Sequence, residues 1–232
     1  MRQAPDALML FAAGLGTRMG ALSASRPKPL VEVAGRPLLD HALMQADAAG
    51  IGRIVINLHY LPEQIRAHLA DRSDLLFSDE TETVLETGGG LKNALPVLGP
   101  GPVFTLNTDA VWTGANPLGE LRAAWDPASM DALLLLVPKD SAIGHVGAGD
   151  FDLSRHGRLT RGRAFVYTGA QILNPAGLAA IEETAFSLNV LWDRMLAEGR
   201  LFGIVHQGHW CDVGRPESIA LAETLIREGG NV

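Results

Sequence analysis

The chain has 232 residues, 47% of them hydrophobic and 6% aromatic, and a net charge of −7. That length is enough for one α/β domain with a core of its own, and the acidic balance excludes a general nucleic-acid binder. No apolar run reaches the ~18 residues of a membrane span, the N-terminal MRQAPDALML lacks the apolar region of a signal peptide, and the single cysteine, Cys211, excludes an internal disulfide and a cysteine metal cluster. Together these features point to the cytoplasm, with neither nucleic acid nor membrane as a partner.

Taken in chain order, Leu8-Met9-Leu10-Phe11 reads as a buried strand. It opens into Ala12–Leu30, AAGLGTRMGALSASRPKPL, where glycines allow backbone N–H groups to surround a phosphate and Arg18 and Lys28 add fixed positive charge. Residues 1–36 carry five basic side chains against two acidic ones, so a basic segment sits on an acidic protein, which suits a small anionic ligand. The segment lacks the G-x-x-x-x-G-K-[ST] pattern of a P-loop. A dinucleotide fingerprint is nearly matched by Gly14 and Gly16, but Met19 stands at the third glycine, and Pro27 and Pro29 break the helix that should follow. A long irregular loop is therefore expected.

Further on, Arg53–Leu58, Leu75–Phe77, Val103–Asn107 and Ala132–Val137 read as strands, alternating with helices over Pro37–Ala49, Pro62–Ala70, Gly89–Leu95 and Pro117–Trp125. Alternation of this kind implies a mostly parallel sheet covered on both faces, with ligands at the carboxyl ends of the strands. Gly144–Arg163 reads as a glycine-rich hairpin or flap, Ala164–Leu173 as a strand, Ser187–Glu198 as a helix, Leu201–His206 as a strand and Pro216–Glu228 as a closing helix. Trp112 and Trp125 read as core, the seven histidines mostly as surface without metal-ligand spacing.

Three further places could carry chemistry. Asp109 directly follows Val103–Asn107, at the carboxyl end of a strand where a carboxylate can bind Mg2+; a turn or helix-capping aspartate reads equally well. Asp212, before Val213-Gly214, reads on its own as a turn residue. Leu85–Leu91, LETGGGL, puts three glycines at a helix start, where they offer close backbone approach and free N–H groups.

Gly14-x-Gly16-Thr17-Arg18 followed by Pro27-Lys28-Pro29-Leu30 resembles the signature of the sugar-1-phosphate nucleotidyltransferases, the nucleoside-diphosphate-sugar pyrophosphorylases. The resemblance extends to Asn107-Thr108-Asp109, with Thr108 where members usually have Gly, to Thr87-Gly88-Gly89, with Glu86 where many have Gly, and to Trp210-Cys211-Asp212-Val213-Gly214. It implies a Rossmann-like three-layer α/β/α sandwich with a mostly parallel mixed sheet. It implies one domain over residues 1–232, nucleotide-binding to about 115 and sugar-binding beyond, without the C-terminal β-helix of larger members.

The resemblance also implies roles. Arg18, Lys28, Asp109 and Asp212 are the expected catalytic residues, with Mg2+ on Asp109 and Asp212 as cofactor. Nucleotide contacts are expected from Ala12, Ala13, Gly14, Gly16, Thr17, Arg18, Lys28, Thr87, Gly88, Gly89 and Asn107. Sugar contacts are expected from Gly149, Asp150, Tyr167, Thr168 and Gly169. The Glu-Lys-Pro often found before Tyr-Thr-Gly is missing, so Arg161 or Arg163 could meet the sugar phosphate, or could be solvated flap charges.

Expected partners are a nucleoside triphosphate and a sugar 1-phosphate, in a monomer or small homo-oligomer. Within the family, LETGGGL, Asn-x-Asp-x-x-Trp and GHWCDVGRPE resemble most closely the short bacterial N-acetylmuramate-1-phosphate uridylyltransferases of cell-wall recycling. Mannose-1-phosphate guanylyltransferases and phosphocholine cytidylyltransferases are the enzymatic alternatives. A silent regulatory subunit on the same fold, or a dinucleotide-binding protein, are the others.

Overall fold

The computed structural model describes residues 4–229. Thirteen strands and six helices alternate along these residues. The strands are β1 (Ala7–Phe11), β2 (Glu32–Val33), β3 (Arg36–Pro37), β4 (Arg53–Leu58), β5 (Leu75–Asp79), β6 (Val103–Asn107), β7 (Ala110–Gly114), β8 (Ala132–Pro138), β9 (Phe151–Leu153), β10 (Leu159–Arg161), β11 (Phe165–Leu173), β12 (Leu201–Val205) and β13 (Gly208–Asp212). The helices are α1 (Leu38–Ala48), α2 (Pro62–His68), α3 (Glu86–Leu98), α4 (Pro117–Ala124), α5 (Asn189–Ala197) and α6 (Glu217–Glu228).

Nine strands form the main sheet. β6, β1, β4 and β5 lie side by side in parallel. β11 joins β6 antiparallel, β8 pairs antiparallel with β11, and β12 runs parallel to β8. The sheet is thus parallel apart from β11 and the small β9–β10 hairpin at its margin. Val137 and Leu133 of β8 turn to the face covered by α1, α2 and α4, while Leu134 and Leu136 turn to the face covered by α3 and α5. β1 does the same, Leu8 and Leu10 one way and Ala7 and Met9 the other, all with no exposure. Strands apolar on both faces can only be stable between two helical layers, and each fully buried side chain of this size contributes roughly 1.5–3 kcal/mol.

The expected elements are present with shifted ends. α3 begins at Glu86, three residues before the expected start, because the glycine run lies inside the helix. The loop after β1 is irregular as expected, apart from two short 3-10 segments over Thr17–Ser23 and Lys28–Leu30. The short β2 and β3 were not foreseen, nor were two strands nearer the site. β7 and β13 form a separate antiparallel pair in which Trp112 lies opposite Trp210 and Ala110 opposite Asp212. Both indoles are 5% exposed and meet edge to face at 6.5 Å. His206, expected at the surface, is instead 5% exposed, with Nδ1 2.5 Å from Glu120 Oε2 and its ring edge-on to Trp112.

A third cluster joins α6 (Ala222, Leu225) to Val111 and Cys211 of this pair and to Met19, Val31 and Val33 of the loop segment. Met19, the residue in place of a third fingerprint glycine, has no exposure, and its N–H donates to Gly16 O at 2.8 Å. It anchors the loop from below. The missing glycine is a packing decision, which removes the dinucleotide reading on physical grounds.

Candidate active site

The carboxyl ends of β1, β4, β5 and β6 surround a cleft of about 200 Å3 lined by residues 11–14, Lys28, Pro29, Asn57, Glu80, Val84, Glu86, Thr87 and 107–109. Gly14 has nothing within 4 Å of where a Cβ would stand, so its backbone faces open space in the cleft. Gly16 is required for two reasons: its φ is +64°, and a Cβ would lie 2.8 Å from Lys28 Cβ. Ser23 Oγ donates to Gly16 O at 2.8 Å and fixes that turn. Of the expected nucleotide residues, Ala12, Ala13, Gly14, Lys28, Thr87 and Asn107 line the cleft. Gly16, Thr17 and Arg18 are not among the residues that line it.

The glycine run of α3 departs from expectation. Gly88 and Gly89 do not present free N–H groups; both donate to Phe186 O, at 2.8 and 3.1 Å. A Cβ on Gly88 would lie 2.4 Å from the Phe186 ring, and one on Gly89 2.2 Å from Thr184 O. These two glycines make room for the 184–188 segment, and of this run only Glu86 and Thr87 line the cleft. Glu86 opens the helix with φ +59°, a left-handed conformation at the position where the resembled family often has glycine. Thr87 Oγ1 accepts Leu188 N–H at 3.0 Å.

Two cleft residues were missed from the sequence. Asn57 Oδ1, at the end of β4, accepts the N–H groups of Ala12 and Ala13 at 2.7 and 3.2 Å. Its Nδ2 donates to Glu80 Oε1 at 2.8 Å. Glu80 follows β5, is 4% exposed and also accepts Leu85 N–H. Burial pushes its carboxyl above the ordinary range, against the pull of Asn57 and Leu85. The available signal was position, since both residues follow strands whose carboxyl ends face the ligand.

Lys28 and Asp109 line the cleft, and the other two expected catalytic residues, Arg18 and Asp212, are close enough for their charges to act on one another and on that pair. Lys28 Nζ lies 2.7 Å from Asp109 Oδ2. Asp212 is brought alongside by β13, whose register places it opposite Ala110, and Val213 N–H donates to Asp109 O at 2.8 Å. The Asp212 carboxyl is pushed up, first by burial and then by the charge of Asp109; Lys28, Arg18 and His145 act in the other direction. A Cβ on Gly214 would lie 3.0 Å from Asp212 Oδ1 and 3.4 Å from Arg18 Cζ, so this glycine leaves room for the guanidinium beside the carboxylate. Thr108 fits where glycine is usual, since its Oγ1 donates to Phe11 O at 2.8 Å and ties β6 to β1.

Asp109 raises the cost of ionising Asp212, an arrangement a divalent cation relieves. The described residues hold no group of three or more His, Cys, Asp or Glu side chains able to bind a metal. Mg2+ suits such a pair, because it takes one or two protein carboxylates and completes its shell with phosphate and water. The residues present fit the expected ion.

On the sugar side, Gly169 (φ +88°) sits in a bulge of β11 and packs on Asn107, 2.8 Å from its Cβ to where a glycine Cβ would stand. Asp150 Oδ2 accepts Tyr167 N–H at 2.8 Å. A Cβ on Gly149 would lie 2.4 Å from Arg163 O. Thr168 turns inward and donates to Leu135 O at 2.7 Å, leaving only its backbone for a ligand. The Tyr167 hydroxyl is buried toward Thr105 and Gln171, which raises its pKa by desolvation, so it too is turned away from any sugar. Arg161 is committed to Asp193 (2.6 Å) and Asn189 (2.8 Å) and lies over the Phe151 ring. Among the described residues the Arg163 guanidinium has no such partner.

The model of the MobA-like NTP transferase domain matches residues 8–197. The chain is 41% identical to the N-acetylmuramate alpha-1-phosphate uridylyltransferase of Caulobacter vibrioides, over 98% of this chain and 100% of that protein. It is 34% identical to the protein of the same name from Neisseria meningitidis serogroup B, over 94% of this chain and 96% of that one. Its fold matches the crystal structure of a putative glucose-1-phosphate thymidylyltransferase from Bacillus anthracis, with a TM-score of 0.79, 15% identity, and 97% and 96% of the two chains covered.

Proposed function

We propose, from the premise that this chain belongs to the MobA-like NTP transferase domain family and transfers a nucleotidyl group to a sugar 1-phosphate, that its substrates are UTP and N-acetylmuramic acid 1-phosphate. The observation that carries the chemistry is the closeness of Lys28, Asp109 and Asp212. The observation that carries the substrate is identity over the whole chain with uridylyltransferases of that name.

In the reaction, an oxygen of the sugar phosphate bonds to the α-phosphorus, the bond from that phosphorus to the bridging oxygen breaks, and pyrophosphate leaves with the electron pair. The nucleophile is already anionic, so positioning and charge neutralisation do the work. Backbone at Gly14, placed by the Asn57 hold on the Ala12 and Ala13 N–H groups, faces the phosphates. Lys28 neutralises charge at the α-phosphate, and Arg18 holds the departing pyrophosphate. Asp109 and Asp212 are the residues for Mg2+, which supplies Lewis-acid neutralisation of the phosphates when bound.

The cleft is lined wholly by residues before Ala110, in keeping with a nucleotide-binding part up to about residue 115, whereas Asp212 of the second part is set beside Asp109 by the pairing of β13 with β7. For the lactyl carboxylate of the sugar we assign Arg163, since Arg161 is already paired. The described residues include no helix long and apolar enough to cross a membrane, and the reading puts the reaction in the cytoplasm.

A pyrophosphate-release screen of the four triphosphates against several sugar 1-phosphates tests this. UTP with N-acetylmuramic acid 1-phosphate is expected to be fastest. N-acetylglucosamine 1-phosphate, lacking the lactyl group, should be slower by a margin that shrinks in Arg163→Ala. GTP with mannose 1-phosphate in first place would overturn the assignment.

A further inference from the structure

A second, more open cleft of about 610 Å3 lies on the outer side of the phosphate loop, lined by residues 18–22 and by Arg215, Pro216 and Glu217. Arg18 belongs to both regions: its guanidinium carbon lies 3.4 Å from where a Cβ on Gly214 would stand, next to Asp212, and its side chain lines the outer cleft. Arg215 follows Gly214 directly and enters the same cleft. The arginines Arg66, Arg72, Arg161 and Arg200 each hold a carboxylate. Among the described residues, neither Arg18 nor Arg215 has such a side-chain partner. Two arginines that line one cavity and hold no carboxylate in a close ion pair, one of them with its guanidinium beside Asp212, are suited to a polyanion.

We propose that Arg215 is a second pyrophosphate-binding residue, forming with Arg18 an exit subsite on the outer side of the loop. The inference rests on the nucleotidyl-transfer reading. Pyrophosphate carries several negative charges, and one guanidinium leaves most of them uncompensated. A second guanidinium along the departure path lowers that cost once the bond to the α-phosphorus has broken. Glu217 faces the same cleft and works against binding, so the hold on the product is moderated and release is favoured.

The test uses the full chain in the reverse direction, with pyrophosphate and the nucleotide sugar as substrates. Arg215→Ala is expected to raise the KM for pyrophosphate by about tenfold or more, as for loss of one charge-assisted contact, with the KM for the nucleotide sugar unchanged. Arg215→Lys should restore part of the loss, and Glu217→Gln should lower the pyrophosphate KM. An unchanged pyrophosphate KM in Arg215→Ala, or an equal rise for both substrates, would overturn the proposal. Calorimetric titration of inorganic pyrophosphate into wild type and Arg215→Ala separates the two readings. If wild type turns over no pair of substrates, nucleotidyl transfer fails, and the titration alone then decides whether Arg215 binds the anion.

Discussion

Lys28 Nζ lies 2.7 Å from Asp109 Oδ2, across 81 positions of sequence. The Lys28 side chain is 11% exposed and that of Asp109 29%. The ammonium is therefore paired with the carboxylate proposed for Mg2+, so binding of the ion there would compete with Lys28. Asp109→Asn should lower kcat by about 10²–10³, the size of a lost electrostatic contact at a reacting centre. Lys28→Ala and Arg18→Ala should lower kcat/KM by a similar factor, and Arg227→Ala, on the exposed end of α6, should not. Arg18→Lys should not fully rescue, because an ammonium lacks the guanidinium fork. Steady-state kinetics over this set checks the assignment; equal activity throughout would make the loop a plain connection.

Asp212 yields a prediction in which stability and activity move in opposite directions. Its carboxyl is raised by burial and by Asp109, so the fold favours the protonated form. The stabilisation is fully present below the ordinary carboxylate range and is lost as pH rises through the raised folded value. Asp212→Asn should therefore raise the neutral-pH Tm by about 2–4 °C, the shift produced by ~1 kcal/mol in a domain of this size, while abolishing most turnover. Mg2+ should raise the Tm of wild type and not of the variant. Turnover needs the ionised carboxylate, so without saturating metal its acid limb should lie above the usual carboxylate range. A variant as active as wild type in EDTA removes the metal role.

Glu80 and Asn57 form a buried link from the base wall to the phosphate loop. Asn57→Ala leaves the Ala12 and Ala13 N–H groups without their acceptor and the buried Glu80 carboxylate with Leu85 N–H but no Asn57 amide, at a cost of about 1–3 kcal/mol for an unsatisfied buried group. Beyond that loss, KM for the triphosphate should rise several-fold while KM for the sugar phosphate holds. Urea unfolding together with the two KM values decides the matter; a stability loss with both KM values intact would limit the pair to folding.

Met19 should prove structural. Met19→Ala is expected to cost about 2–5 kcal/mol, as for other fully buried methionines cut to alanine. Met19→Gly, which completes the dinucleotide fingerprint, should confer no affinity for NAD, measured by titration calorimetry.

Much of the layered fold was legible because strands buried on both faces must be apolar throughout, as in Leu8–Leu10 and Ala132–Val137. The β7–β13 pair was not, since its strands are short and their aromatic contacts join residues about 100 positions apart. Asp212 therefore read as a turn residue until the resemblance was considered, although it ends a strand. The LETGGG run shows the opposite failure. Glycines imply close approach but not what approaches, and here it is Phe186 and Thr184 of the same chain. His206 read as surface because its partner, Glu120, lies 86 residues away.

The β7–β13 pairing also sets an order of events during synthesis. A nascent chain that has emerged as far as Leu173 contains β1, β4, β5 and β6 and every residue that lines the cleft, but not the 184–188 segment that packs on Gly88 and Gly89. It cannot yet hold the second carboxylate, because Asp212 and the strand that aligns it follow later in the chain. The residues lining the cleft thus precede in synthesis the strand that sets the second carboxylate beside Asp109, and the edge of β7 is filled only once β13 has emerged.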